Sequence, residues 1–282
     1  MTDVLPENAE SQRAWDGVLF DRFLRFRHLV AALAKHGHVA MQACPPPVGA
    51  RVLDIGCGYG DSANEFGELV GPEGSVLGVD IAPRFIELAT ADAAPNVRFQ
   101  AMDVQAARFG GTFDYAFSRF GTMFFASPVA ALGNVHAALE PGSRFVFVVW
   151  RKREDNPWLY VAEQAVKPLI DIPEETDEAR CGPGPFSMAN SDTLSTQLQL
   201  AGFDEISFLR SDLPMKLGSD LEEAVEFNLA LGPAAEAVRL AGDDGEKMRP
   251  MLAALLREVL AQFETPEGVY AGSSVWVVTA RA

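Results

Sequence analysis

The chain has 282 residues, 48% of them apolar, and a formal net charge of −16. That length and apolar content suit one domain with insertions around a large core and exclude a disordered chain. The acidic surface opposes nucleic acid and anionic lipid, and no apolar run reaches the roughly 18 residues of a membrane span.

Residues 1–10, MTDVLPENAE, are polar and acidic, unlike a signal peptide, so a cytoplasmic location is expected. Residues 9–43 read as a helical cover, with Trp15, Phe20, Phe23, Leu24, Phe26, Leu29 and Val30 at mixed helical spacing. Arg22, Arg25, Arg27 and His28 read as its solvated face, and Pro45-Pro46-Pro47 ends it. Strands and helices then alternate. Residues 51–55 form a strand, 61–70 a helix and 75–79 a second strand. Pro83 opens a helix to about residue 93, and residues 97–100 and 113–118 are strands three and four. Ser127, as N-cap, and Pro128 start a helix that carries Val129, Leu132, Val135 and Leu139. Pro141-Gly142 breaks the chain before Phe145-Val146-Phe147-Val148-Val149, an apolar run suited to a strand buried on both faces.

Beyond Trp150 the rhythm changes. A helical stretch with Trp158, Val161, Ala165 and Leu169 leads into an acidic, proline-rich loop. A helix over 192–201 and a strand over 203–210 follow. Residues 220–263 are helical, interrupted at Gly232-Pro233 and at Gly242-Asp243-Asp244-Gly245, and residues 274–279 close the chain as a strand. The pattern predicts a doubly wound α/β domain over 1–282 with a core at 51–150. Residues 151–191 and 218–265 are expected as helical lid insertions.

Cys44, Cys57 and Cys181 are odd in number and far apart, and His36-x-His38 lacks a matching partner, so neither a disulfide framework nor a metal site is expected. The glycine turn Asp54-Ile55-Gly56-Cys57-Gly58-Tyr59-Gly60 follows strand one, where open α/β sheets bind ligands. Asp80 ends strand two and can accept both ribose hydroxyls of an adenosine. Asp103, after strand three, can take an adenine amine. Two cofactors fit so far, a nicotinamide dinucleotide and S-adenosylmethionine. The dinucleotide would set its pyrophosphate between Asp54 and Asp61, and Gly56-x-Gly58-x-Gly60 is not the G-x-G-x-x-G spacing. The sulfonium and α-ammonium groups of S-adenosylmethionine suit those carboxylates instead.

The chain resembles class I S-adenosylmethionine-dependent methyltransferases, most of all the small-molecule group of the ubiquinone/menaquinone-biosynthesis enzymes. VLDIGCGYG resembles the first family motif, VLGVDIAP the second-strand motif and FQAMDVQ the adenine segment. FDYAFSRFGTMFF resembles the fourth-strand motif, and ALEPGSRFVFVVW the helix, turn and fifth strand. The resemblance is close over 51–150. It implies a Rossmann-like sheet of seven strands with the last antiparallel. It also implies cofactor contacts at Asp54, Gly56, Cys57, Gly58, Asp80, Ile81, Asp103, Val104, Ser118 and Arg119. Cys57 stands where the family has small residues, so it is not expected to be a catalytic thiol.

Methyl transfer is an in-line displacement that chiefly needs alignment and exclusion of water; a base is optional. No catalytic residue is therefore assigned. Phe120, Met123 and Phe124 follow strand four on the expected substrate face, and Trp150, Trp158 and Tyr160 lie in or beside the first insertion. They predict a partly apolar or aromatic small acceptor, with Trp15 and Phe20 closing the site from the N-terminal helices. Phe125 and Phe186 stand near the same face. Arg119 and Arg151 are candidate anion ligands, and His28 and His136 candidate bases. An NAD(P)-dependent oxidoreductase and a non-catalytic S-adenosylmethionine-binding protein are the alternatives, and a homodimer is left open.

Overall fold

The structure, a computed structural model, describes residues 4–109, 112–169, 184–232, 234, 235, 238 and 241–282, apart from the side chains of 242–244 and 246. The N-terminal cover is a broken helical path: α1 (Ala9–Ala14), a π-type turn (Trp15–Leu19), α2 (Phe20–Arg25), α3 (Arg27–Val30) and α4 (Ala34–Ala43). Gly17 leaves helical geometry inside the π-type turn, with φ −111° and ψ −113°.

The core follows as β1 (Arg51–Ile55), α5 (Asp61–Val70), β2 (Ser75–Asp80), α6 (Pro83–Ala91), β3 (Val97–Ala101), β4 (Phe113–Arg119), α7 (Pro128–Ala138) and β5 (Leu139–Trp150). Then come α8 (Pro157–Val166), α9 (Ser191–Leu200), β6 (Asp204–Gly218), α10 (Leu221–Ala230), α11 (Gly242–Leu260), β7 (Glu264–Thr265) and β8 (Gly268–Arg281). The sheet order is β3-β2-β1-β4-β5-β8-β6, with β7 pairing β8 off that path. Strands β1 to β5 are mutually parallel, and β8 is antiparallel to both β5 and β6.

Parallel strands flanked by helices must bury both faces, and Phe145 to Val149 of β5 are fully buried. Phe66 of α5 meets Tyr115 and Phe117 of β4 at ring distances of 5.7 and 4.8 Å. Each such fully buried aromatic contributes about 1.5–3 kcal/mol from area alone.

Four expectations are corrected. Pro141-Gly142 does not break the chain: β5 runs through it, and Gly142, at φ +86°, sits in a register shift against β4. Ser127 stands at the N-cap of α7, but its side chain makes no cap bond. Gly242 to Gly245 open α11 rather than interrupt a helix; the Gly245 N–H donates to the Ala241 carbonyl at 3.3 Å. The last two long strands, expected over 203–210 and 274–279, have 15 and 14 residues; the expected path of seven strands with the last antiparallel is present, with the two-residue β7 beside it. Long antiparallel partners extend each other by backbone pairing, so β6 and β8 outrun their apolar pattern. The expected proline-rich loop, and Cys181 with it, falls mostly at 170–183, outside the described residues.

Candidate active site

Asp54 lies at the carboxyl end of β1 and is 1% exposed. The Ser62 hydroxyl in the first turn of α5 donates to its Oδ2 at 2.6 Å. Its Oδ1 is buried with no hydrogen-bond partner. Burial pushes the carboxyl up from 3.8 to about 6, with Asp80 adding to the rise, while the Ser62 bond and the Arg119 charge oppose it. A buried carboxylate with one oxygen unpaired is costly, and a cation at that oxygen would remove the cost.

The glycine turn is pinned beside it. The N–H groups of Gly56 and Cys57 both donate to the Val79 carbonyl, at 2.8 and 3.1 Å. Gly56 has φ +67°, and a Cβ there would stand 2.8 Å from the Gly121 Cα, so only glycine lets the two loops meet. A Cβ on Gly58 would meet nothing within 4 Å, which leaves its backbone facing open space. The Gly58 N–H donates to Asp80 Oδ2, and the Ala82 N–H donates to Asp80 Oδ1, both at 3.0 Å. The Ile81 N–H bonds to the same carboxylate, which keeps acceptor capacity beyond these three donors. Cys57 is buried, and burial raises its thiol far above the usual range, with Asp80 and Asp54 adding to the effect. It is no nucleophile.

Asp103, two residues beyond β3, is 2% exposed. It faces the N-terminal cover. The Leu5 N–H donates to Oδ2 at 3.0 Å, the Asn8 carboxamide to Oδ1 and Oδ2 at 3.0 and 2.8 Å, and the Gln105 N–H to Oδ1 at 3.0 Å. The Ile81 carbonyl accepts from the Gln12 side chain at 3.2 Å. Val104 is buried, and its carbonyl accepts from Asn134 at 2.9 Å. Further along the cover, the Arg84 N–H donates to Asp16 Oδ1 at 2.8 Å, and the Arg84 guanidinium lies 3.9 Å from the Phe20 ring centroid. The basic residues expected as a solvated face also clamp the cover: Arg25 pairs with Glu226, Arg27 with Asp61 at 3.3 Å and His28 with Glu223 at 2.8 Å.

Ser118, fully buried, donates to the Ile55 carbonyl at 2.7 Å and so ties β4 to β1. The Arg119 side chain lies along α4; a Cβ on Gly37 would stand 3.1 Å from its Cδ. Phe120 then reverses the chain at φ +61°, a left-handed value rare for a bulky residue. Its ring stacks on Trp150 at 4.3 Å, and Trp150 meets Trp158 at 5.3 Å. Trp158 continues to Phe227 at 6.4 Å, and Phe227 to Phe26 at 5.4 Å. Met123 is buried, and its sulfur accepts the Trp150 N–H at 3.5 Å. Two buried polar groups here, Trp158 Nε1 and Thr122 Oγ1, have no partner.

Trp15 meets Phe124 edge-on at 4.9 Å, so the cover reaches the loop after β4. Phe20 instead joins Phe85, at 5.0 Å, in a separate cluster over the start of α6. No ring contact brings Tyr160 into the aromatic wall among the described residues. Arg151 pairs with Asp155 at 2.9 Å and lies 4.2 Å from the Trp276 ring centroid. His136 packs edge-on against Phe203 at 5.0 Å. No group of three or more metal-ligating side chains occurs among the described residues.

Sequence reasoning missed His36, Asn8, Gln12 and Ser62. His36 is 2% exposed; its Nε2 lies 2.8 Å from the Ser273 hydroxyl and its Nδ1 3.5 Å from that of Ser211. Burial lowers it from 6.5 to about 4, against the opposing charge of Asp212, so it is neutral near pH 7. Since Ser273 donates onward to the Leu213 carbonyl at 2.7 Å, His36 carries its proton on Nε2. Ser62 had a signal, being a hydroxyl eight residues after Asp54 in the first helical turn. The other three had none, because their partners lie far away in sequence.

The orphaned Asp54 oxygen and the open space before Gly58 fit the ammonium and sulfonium of S-adenosylmethionine and do not fit a pyrophosphate. Residues 52–142 match the family model of a methyltransferase domain. Aklanonic acid methyltransferase DauC of a Streptomyces species is 36% identical over 107 residues, which are 36% of this chain and 49% of that protein. Demethylmenaquinone methyltransferase of Lactococcus lactis is 30% identical over 122 residues, 42% of this chain and 47% of the relative. The chain spans about half the length of these two relatives. Among solved structures, a cyclopropane-fatty-acyl-phospholipid synthase-like protein of Lactobacillus casei shares the fold at TM-score 0.56 and 17% identity, over 91% of this chain and 93% of that one. YcgJ of Bacillus subtilis does so at 0.55 and 16%, over 89% and 97%. Residues 52–142 thus carry a methyltransferase domain, similar to those of the class I S-adenosylmethionine-dependent enzymes, and S-adenosylmethionine is the cofactor of that domain. No described helix is long and apolar enough to cross a membrane.

Proposed function

We propose that this chain transfers a methyl group from S-adenosylmethionine to a small, partly apolar or aromatic metabolite. The observation that carries the cofactor half is the buried, unpaired Oδ1 of Asp54 beside the open backbone of Gly58. The bound cofactor supplies a methyl group already activated by its sulfonium. The chain supplies position and dryness. Asp54 takes the ammonium, Arg119 faces the methionyl end, and the spare acceptor sites of Asp80 take the ribose hydroxyls. Ile81 and Val104 pack on the adenine. The expectation that Asp103 receives the adenine amine meets a carboxylate already bonded by Leu5, Asn8 and Gln105.

Trp15 against Phe124 keeps water from the mouth of the site. The aromatic wall of Phe120, Trp150 and Trp158 supports a flat, partly apolar acceptor, and α8, α10 and α11 serve as the lid behind it. The unpaired Trp158 N–H supports an oxygen on that acceptor. His36 is held between two hydroxyls and acts as a structural group rather than a base. The net charge of −16 supports a metabolite over a nucleic acid.

Calorimetry with S-adenosylhomocysteine and with NAD tests the cofactor. Binding of the first and not the second is expected, and binding of NAD alone would refute the reading. Transfer of labelled methyl from S-adenosylmethionine into a metabolite extract tests turnover. Label retained only on the donor would leave a binding protein.

A further inference from the structure

We propose that Asp103 is a positioning residue: its carboxylate latches the segment Leu5–Asn8 across the adenine end of the cofactor cleft and does not itself read the adenine amine. The inference rests on the cofactor reading above.

A carboxylate offers about four acceptor sites, and Asp103 has four hydrogen bonds, two on each oxygen. They come from three donor groups of this chain: the Leu5 N–H, the Asn8 amide nitrogen, which faces both oxygens, and the Gln105 N–H. An incoming amine would have to displace one of them. Gln105 N–H is part of the turn after β3, and its departure would break that turn. Asn8 is 4% exposed, so releasing it would strand a buried amide. The orientation of the Asn8 carboxamide is fixed by charge, since only its NH₂ end can face a carboxylate.

The latch is one of several along the same strip of chain. Leu5 and Asn8 hold Asp103, Gln12 holds the Ile81 carbonyl, and Asp16 holds the Arg84 N–H. These contacts run along the ends of β3 and β2 and onto α6. They lay residues 5–16 over the strand ends that an adenosine would occupy. Among the three site aspartates the contrast is sharp. Asp54 keeps one oxygen without a partner, Asp80 is held by backbone N–H groups of Gly58, Ala82 and Ile81, and Asp103 alone is taken up by the N-terminal cover, with two contacts on each oxygen. Asp103 therefore shapes the adenine end by fixing the strip that covers it.

The test uses the full chain with Asp103→Asn and Asn8→Ala. Asn8→Ala opens the latch from the cover side without altering the sheet. Amide hydrogen exchange over residues 5–16 is measured first, without ligand. Both variants should exchange roughly tenfold faster there or more, while β1 and β4 keep their protection. Calorimetry then compares S-adenosylhomocysteine with S-inosylhomocysteine, in which an oxygen replaces the 6-amine. Both variants should weaken the two ligands by the same factor and leave their ratio at the wild-type value. An unchanged exchange rate over residues 5–16 would overturn the latch. So would a ratio that collapses toward one in Asp103→Asn but holds in Asn8→Ala, because Asp103 would then be reading the amine. If the unaltered chain binds neither ligand, the cofactor reading fails, and the ligand-free exchange measurement still decides whether Asp103 holds the segment.

Discussion

Asp54→Asn should make the ligand-free protein more stable and the cofactor complex weaker. The magnitude follows from the carboxyl, raised from 3.8 to about 6 in the folded state. A rise of that size disfavours the ionised form by about 3 kcal/mol, and this is already net of the help from Ser62 and Arg119. The sign runs opposite to that of a salt-bridged aspartate. The folded state holds this proton more tightly than the unfolded state, so the contribution is fully present below pH 3.8 and lost as pH rises through about 6. Asparagine removes that pH dependence. The variant should match wild type near pH 4 and exceed it by about 1–3 kcal/mol at pH 8, at roughly 2 °C of melting temperature for each kcal/mol in a chain of this size. S-adenosylhomocysteine should bind the variant on the order of 30-fold more weakly, as expected for a lost charge-assisted hydrogen bond. Wild type should release part of a proton on binding near pH 6, read by calorimetry in buffers of different ionisation enthalpy. A variant less stable than wild type at pH 8, with unchanged ligand affinity, would refute the assignment of Asp54 to the cofactor cation.

His36 predicts the opposite slope. It is lowered from 6.5 to about 4 in the folded state, so its stability is present above pH 6.5 and falls by up to about 3 kcal/mol toward pH 4. His36→Gln should flatten that acid limb in denaturant melts, and an unchanged limb would count against the buried neutral tautomer. The two turn glycines should separate fold from binding. Gly56→Ala puts a Cβ 2.8 Å from Gly121 and should lower stability by roughly 2 kcal/mol or more. Gly58→Ala meets open space, so it should cost about 1 kcal/mol and lose cofactor affinity far beyond that; equal loss in both measurements would deny the open face of Gly58 a role. Trp158→Phe keeps the ring stack and removes the unpaired N–H. Once an acceptor is in hand, its KM should rise several-fold with cofactor affinity unchanged, whereas an unaltered KM would remove the acceptor from that donor.

The parallel strands of the core and the place of the glycine turn were legible in the chain because each depends on local pattern, whereas the sheet order was not, because it is set by which distant strands pair. Apolar runs of five residues, punctuated by glycine and proline, suffice for strands joined by crossover helices. The chemistry of Asp54 was legible too, since a carboxylate beside a glycine turn opposes phosphate whatever the packing. The break misplaced at Pro141-Gly142 has the same origin read in reverse. A local turn signal there yields to strand pairing on both sides of β5.

By itself the sequence determined which cofactor the turn suits, through the sign of the charge and the spacing of the glycines. Tertiary structure alone decided how the three aspartates differ, because hydrogen-bond saturation depends on partners brought from elsewhere in the chain. Asn8 reaches Asp103 across 95 positions, and His36 reaches Ser273 across 237. No spacing rule connects residues so far apart. Folding chose their partners and thereby left one carboxylate oxygen of Asp54 without any.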